Sequence, residues 1–544
     1  MNTASFARRD LLKLGCLGLA GSATTLLPRV AAAQVPAADP VAAAAAGSSS
    51  IFYVRGFGAA GDGKTVDSPA INKAIEAAAA VGGGTVVFPA GVYFSFSIRL
   101  KSRVHLFLTQ GAAIIAADSP LPGETTGYLG GTYDAAEPKT AWDAFQDYGH
   151  NHWHNSLIWG EDISDFSITG PGLIWGRGLS FGAGRAARGG YPIYSAEQAG
   201  VGNKAIALKN CRNVTLRDFS ILKGGHFGML LTGVDNLTID NLKIDTDRDG
   251  MDIDCCKNVR VSNTIVNSPW DDGICPKSSY ALGHAKTTEN VSITNCYVTG
   301  CLELGSLLDG TFKRRPNGGT GRIKCGTESN GGFVNISISN CLFEGCGGLA
   351  LETVDGARLE DIVISNITMR DITNCPIFLR LGARLRGPKD TTKVGNLSRV
   401  MISNINCHNT HSSFSSILSG IPGYSIEDVK ISNVFVEHTG GASADSPNIK
   451  VPEVENKYPE PGMFGATPSQ GFFVRHVKNL EMSHVEIKPM APDPRPSFYL
   501  EDVQRADFMA ITAPSSPAAF AFNDAKDVRV RNSRAAADST IEAL

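Results

Sequence analysis

Two short stretches concentrate the residues that could do chemistry. Residues 244–254 read IDTDRDGMDID, and residues 267–279 read NSPWDDGICPKSS. Asp249 lies 22 residues before Asp271 and 23 before Asp272. If the chain is built of units of that length, these carboxylates meet on one face although they are distant in sequence. One use for such a set is inverting glycoside hydrolysis. A protonated carboxyl gives its proton to the leaving oxygen while an ionised one activates water, the two about 6.5–9.5 Å apart. Like charges in proximity raise one pKa, which keeps one carboxyl protonated. The other use is a cage for a hard cation, which needs about 6–8 oxygen ligands.

The spacing serves a site only if the chain repeats at the same period, and it does. NVTLRD begins at Asn213, NLTIDN at Asn236, NVRVSN at Asn258, NVSITN at Asn290 and NISISN at Asn335. Further copies start at Asp361, Arg399, Asp428, Asn479 and Asp527. The shortest spacings are 23 and 22 residues, and longer ones fit a unit plus an inserted loop. Each copy alternates apolar and polar residues, the period of a half-buried strand, and ends on Asn, Gly or Asp turn residues. Leucine-rich, ankyrin and tetratricopeptide patterns are missing. The expected fold is all-β: one right-handed parallel β-helix solenoid over residues 51–544, with turns about 4.8 Å apart. Neighbouring residues of a strand face opposite sides. Asp271 and Asp272 can therefore serve one site only from a turn or bulge, which Gly273 permits.

A solenoid needs a cap over its first turn. The pattern Ile71, Ala74, Ile75, Ala78 predicts a helix over 68–81 that supplies it. Three insertions break the period, near 116–160, 171–208 and 438–470, and are expected to build the walls of a groove. Ahead of the cap, residues 34–50 read as a flexible lead-in. Residues 1–33, with Arg8-Arg9, an interrupted apolar run and Ala31-Ala32-Ala33, read as a twin-arginine leader cleaved after Ala33. The run is too broken for stable membrane insertion. The expected location is periplasmic or secreted.

Loss of residues 1–33 takes the formal net charge from −3 to −6, because four basic residues leave with Asp10. A mildly acidic chain argues against nucleic acid as a partner. Eleven cysteines remain, most closing apolar runs, as in ITNCYVTGC and ISNCLFEGC. They read as small core fillers more than as disulfides, and without a CxxC pair no zinc site is expected.

The segment DRDGMDIDCCKNV…DDGICPKSS resembles the Asn-Thr-Asp-Gly…Asp-Asp stretch of polygalacturonases, glycoside hydrolase family 28. The likeness extends through GFGAAGDGKTVDSPAINKAI, HNSLIWGED and the repeats, most of residues 51–440. It implies Asp271 as general acid, Asp249 and Asp272 as the residues that hold and activate water, and Asp252 and Lys277 as their neighbours at the substrate. It also implies a pectic poly- or oligosaccharide substrate and no cofactor or metal.

Two family features are missing. Gly321 stands at the slot of the family His, and Ala350 and Glu352 stand where the family has Arg-x-Lys to hold uronate. Arg322, Lys324, Arg380 and Arg384 are the expected replacements, since Arg pairs bidentately with carboxylates. Rhamnogalacturonan hydrolases of the family also lack the His, which shifts the expected substrate towards branched or mixed backbones.

Glu328 and Glu352 read equally as site carboxylates or turn residues. Asp245, Asp247 and Asp254 read as a solvated acidic edge. Trp153, with Tyr148, is expected to form a sugar-stacking wall. His150, His152 and His154 alternate but have no acidic partner nearby in sequence, so they are not read as metal ligands. The expected activity is hydrolysis of α-galacturonosyl linkages, with attack from chain ends left open as one mode. The competing readings are a calcium-dependent pectate-lyase-like enzyme and an inactive β-helical carbohydrate-binding protein.

Overall fold

Every copy of the repeat motif begins with its backbone in the left-handed region, which is why Asn recurs there. φ is 57° at Asn213, 57° at Asn236, 56° at Asn258 and 59° at Asn290. Asn tolerates this conformation better than other side-chain-bearing residues. The computed structural model describes residues 50–180, 198–302, 307–411 and 413–543. The Asn side chains also join one turn to the next. The Nδ2 of Asn236 donates to Asn213 at 2.9 Å, Asn258 to Asn236 at 3.1 Å, Asn290 to Asn258 at 3.0 Å and Asn335 to Asn290 at 2.8 Å.

Behind the ladder, the alternate apolar residues face inwards. Val214, Leu237, Val259, Val291 and Ile336 are paired in register and stack as a column. Two further parallel stacks complete each turn. One runs through Leu173–Trp175, Ser220–Leu222, Lys243–Asp245 and Ile265–Asn267. The other runs through Phe227–Thr232, Met251–Asp254, Ile274–Lys277, Ile323–Cys325, Leu349–Thr353 and Ile377–Leu381. The result is a right-handed parallel β-helix.

The helix Ser68–Ala80 starts with Pro69 in its first turn and buries Ile71, Ala74, Ile75 and Ala78 completely. It packs against Ile51–Tyr53 and Gly84–Phe88, covering the first turn as expected. At the other end, Ser539–Ala543 pairs antiparallel with Phe520–Arg531. Ser49–Leu544 form one unit. Cys211 through Cys407, eleven thiols, are buried and unbridged, as the core-filler reading expects. Among the described residues no helix is long and apolar enough to cross a membrane. The expected leader, the lead-in except Ser50, and residues 181–197 of the second insertion lie outside the described residues.

The Asn ladder makes a prediction. Asn258→Ala loses two ladder bonds and puts an alanine in the left-handed region, a cost of about 2 kcal/mol. Asn258→Gly loses the same bonds without the backbone penalty and costs less. Urea unfolding of both checks the order; equal losses would mean the conformation contributes nothing.

Candidate active site

The three aspartates sit where two successive turns lead into one strand stack. Asp249 immediately precedes Gly250 and the strand Met251–Asp254; Asp271 and Asp272 precede Gly273 and the strand Ile274–Lys277. Met251 pairs with Ile274, so the two aspartate-bearing turns lie one above the other. The Gly250 amide donates to the Asp272 carbonyl at 3.0 Å. A Cβ on Gly250 would stand 2.4 Å from Val266 and 2.5 Å from the Gly273 carbonyl, so only glycine lets the turns stack this closely. Because Asp271 and Asp272 lie in the turn, both can reach the same site.

Asp249 and Asp272 present carboxylate oxygens within 4.8 Å of each other. The Asp272 amide donates to Asp271 at 3.2 Å and to Asp249 at 3.3 Å. Each carboxylate has its own cation. Arg248 holds Asp271 at 2.8 Å, Lys277 lies 3.6 Å from both Asp249 and Asp252, and Asp272 has Arg322 at 2.7 Å and Lys324 at 3.3 Å.

These partners decide the protonation states. Burial and the charges of Asp271 and Asp252 push Asp249 well above the usual carboxylate range. Burial alone would raise Asp272 too, but Arg322 and Lys324 outweigh it and hold it below its ordinary value. Burial is also opposed at Asp271, where Arg248 and a hydrogen bond from Asp249 hold the pKa at about 2. Of the three, Asp249 is thus the carboxyl whose surroundings favour a proton, and Asp271 and Asp272 are the two whose surroundings favour charge. The sequence reading put the held proton on Asp271 and did not foresee Arg248.

The aspartates line a cleft of about 640 Å³. Its walls include Asp147 and Tyr148 from the first insertion, Trp270, Phe414, and Tyr458 and Glu460 from the third. The first and third insertions are each fastened to residues beside the site. Arg386 donates to Asp147 at 2.6 Å, the Asp147 amide to Glu328 at 2.8 Å, and Arg322 bonds Glu460. Of the residues expected at the substrate, Lys277 and Tyr148 join the three aspartates on the cleft surface.

The other expected substrate contacts are supporting groups. Arg322 and Lys324 are 1% exposed and occupied with Asp272 and Glu460. Arg380 donates to Ser419 and to the Gly420 carbonyl, both at 2.9 Å, and to the Glu453 and Val454 carbonyls, so it anchors the third insertion. Arg384 is engaged with Asp355. Asp252 is buried between His150 and Lys277. Glu352 is buried 3.7 Å from Lys324, and burial outweighs Lys324 and Arg322 to lift its pKa to about 7.

Trp153 is 3% exposed; its Nε1 donates to Thr232 at 3.1 Å and its ring packs against Phe227 and Leu230. The indole fills a hole under the loop and cannot stack on a sugar. Tyr148 lines the cleft as expected, and Trp270 and Tyr458, not Trp153, supply the rest of its aromatic surface. Asp245, Asp247 and Asp254 are no solvated edge either, since all three are buried. Asp245 accepts from Asn267 at 2.8 Å and from the Leu307 amide, and Asp254 accepts from Ser279 at 2.7 Å.

Besides Arg248, the sequence reading missed His150. It stacks on Phe227 with ring centroids 4.7 Å apart and bridges Glu328 at 2.6 Å and Asp252 at 3.2 Å. Burial disfavours its charge, but Glu328 and Asp252 prevail and hold its pKa at about 10. The only signal in the sequence was the alternation HNHWHN; its acidic partners lie far along the chain.

This raised pKa has a consequence for stability. The charged His150 contributes stability that is complete below its ordinary 6.5 and is lost as pH rises through about 10. The thermal midpoint is expected to fall over that window in the native protein and to fall less in His150→Gln. Parallel curves for the two proteins would contradict it.

His150, Asp249 and Asp252 hold ligand atoms close enough together for a cation, as do Asp249, Asp272 and Cys275. Lys277, Arg322 and Lys324 already balance these carboxylates at 2.7–3.6 Å. A hard cation wants about 6–8 oxygens free of such competitors, so the donor set suits proton transfer better than calcium.

Residues 116–311 match Glycosyl hydrolases family 28, and residues 51–119 match Rhamnogalacturonase A/epimerase, pectate lyase-like. A probable polygalacturonase of Arabidopsis thaliana is 26% identical over 343 residues, 61% of this chain and 61% of that protein. The chain thus spans less than two thirds of that relative's length. Two solved structures share the fold. The Thermotoga maritima exopolygalacturonase has TM-score 0.58 and 17% identity, over 80% of this chain and 91% of its own. The Yersinia enterocolitica family 28 exopolygalacturonase has TM-score 0.58 and 18% identity, over 84% of this chain and 78% of its own.

Proposed function

We propose that the chain is a glycosyl hydrolase of family 28, whose model matches residues 116–311, and that it hydrolyses α-galacturonosyl linkages in pectin. The observation that carries this reading is the carboxylate set. Asp271, whose side chain is 24% exposed against 5% for Asp249 and 3% for Asp272, is the one best able to meet a glycosidic oxygen. It serves as general acid. Asp249 and Asp272, with oxygens within 4.8 Å, accept hydrogen bonds from a water and direct its lone pair at the anomeric carbon. One of them takes one proton as the bond forms, and the other hydrogen stays on the product hydroxyl. The C–O bond to the leaving sugar breaks as water's oxygen bonds to carbon, with the inversion that the resemblance to family 28 implies. Asp249 and Asp271 nevertheless lie closer than the spacing usual for inversion.

The tied insertions favour attack from a chain end. Arg386 and Glu328 hold Asp147, and Arg322 holds Glu460, so the first and third insertions stand fixed beside the aspartates. The leader read at residues 1–33 suits work in the periplasm or outside the cell.

The test is product analysis on polygalacturonate and on rhamnogalacturonan, with EDTA present. New reducing ends of inverted configuration by proton NMR, small products from the outset and no ultraviolet-absorbing unsaturated sugar are expected. Unsaturated, EDTA-sensitive products would transfer the aspartates to calcium and a lyase. Binding without any product would leave an inactive carbohydrate-binding β-helix.

A further inference from the structure

Arg248 stands at the Thr position of the Asn-Thr-Asp-Gly stretch that this chain resembles, one residue before Asp249. Its guanidinium lines the cleft. Nε and Nη2 donate to the same oxygen of Asp271, at 3.1 and 2.8 Å. Nη1 lies 3.2 Å from Nδ1 of His226, and since Arg can only donate, His226 accepts there. Its Nε2–H then donates to the Tyr148 carbonyl at 2.9 Å. The Phe227 ring lies 5.9 Å from the guanidinium carbon. Three of the five N–H groups are thereby used, leaving one on each terminal nitrogen, the pair that grips a carboxylate side by side.

The other cations near the aspartates are less available. Side-chain exposure is 15% for Arg248, 5% for Lys277, and 1% for Arg322 and Lys324. Lys277 lies between Asp249 and Asp252, while Arg322 and Lys324 are saturated by Asp272 and Glu460. An anionic sugar entering the cleft therefore meets Arg248.

We propose that Arg248 binds the carboxylate of the uronosyl residue next to the scissile bond, doing the work of the missing Arg-x-Lys pair, and that this contact frees Asp271 to act as acid. This rests on the pectin-hydrolase reading above. When a uronate carboxylate takes the two spare N–H groups, its negative charge offsets the guanidinium charge that keeps Asp271 ionised. The proton held on Asp249 passes to Asp271, and Asp249 is left ionised beside Lys277. No proton enters or leaves the site. The acid is armed only when a uronate is bound, so a neutral sugar in the same place leaves the proton on the wrong carboxyl.

The test is calorimetric binding of galacturonate and of its methyl ester to the native protein, Arg248→Gln and Arg248→Lys, beside the rate of each on pectic polymer. The native protein is expected to prefer the acid over the ester about tenfold or more, the order of one charge-assisted contact. Arg248→Gln should lose that preference while holding the ester within about threefold, and Arg248→Lys should retain part of it. On polymer, Arg248→Gln should lose in kcat as well as KM, because the acid is no longer armed. Equal weakening of both ligands in both variants would make Arg248 a structural residue and overturn the proposal. A native protein that hydrolyses the polymer without preferring acid to ester would overturn it too, leaving the hydrolase reading intact. A native protein that binds neither ligand and hydrolyses neither polymer would remove both.

Discussion

Asp271→Asn is expected to lower kcat on pectic polymer by about 10²–10⁴, the usual yield of general acid catalysis. The magnitude does not identify the role, because Asp249→Asn and Asp272→Asn should also be severe. The leaving group does. An aryl galacturonide departs as a stable phenolate and needs little protonation, so Asp271→Asn should recover most of its activity on it. Asp249→Asn and Asp272→Asn still lack a group to activate water and should stay impaired on both substrates. The comparison is needed because burial and its charged neighbours favour a proton on Asp249, whereas Arg248 draws Asp271 down to about 2. If the aryl substrate rescues Asp249→Asn and leaves Asp271→Asn inactive, the two roles exchange, and Arg248 serves to keep the base ionised.

The repeat was legible because it is local. One left-handed Asn followed by alternating apolar residues fixes each strand, and Asn213, Asn236 and Asn258 show both in the sequence as they do in the fold. The offsets of 22 and 23 residues carried Asp249, Asp271 and Asp272 to one place for the same reason. What escaped depends on where loops return. His150 reaches Asp252 and Glu328 only because the first insertion folds back over the coil. Trp153 in that loop points down into a hole beside Phe227, and nothing in its neighbours in sequence distinguishes that from pointing out. The four expected uronate ligands fail together: a basic residue in an acidic site is consumed by the nearest buried carboxylate or carbonyl before substrate arrives. Arg322 and Lys324 went to Asp272, Arg384 to Asp355, and Arg380 to the carbonyls of the third insertion. Arg248 also has a carboxylate partner, but that partner is the proposed acid and lies on the cleft surface.

Arg322→Met is expected to cost about 3–5 kcal/mol of stability, the loss typical when one member of a buried pair is removed. Arg322 is 1% exposed and holds Asp272, itself 3% exposed, at 2.7 Å while also bonding Glu460. Lys324 remains 3.3 Å from Asp272, which places the loss towards the lower end of that range. Most of the cost is the stranded charge, so Arg322→Met/Asp272→Asn should be more stable than Arg322→Met alone, with a coupling of about 1 kcal/mol or more by urea unfolding. Activity should change in a particular direction as well. Arg322 is the foremost charge opposing burial at Asp272, so its removal raises that pKa. Asp272 must be ionised to activate water, and the acid limb of kcat/KM should therefore move to higher pH in Arg322→Met. Additive stability losses in the double variant would mean that Arg322 works through packing alone. An unmoved acid limb would mean that Lys324 sets the charge of Asp272 without help. With both effects present, the Arg322–Lys324 pair is what keeps a buried carboxylate ionised one turn from a protonated one, the asymmetry on which hydrolysis by this site depends.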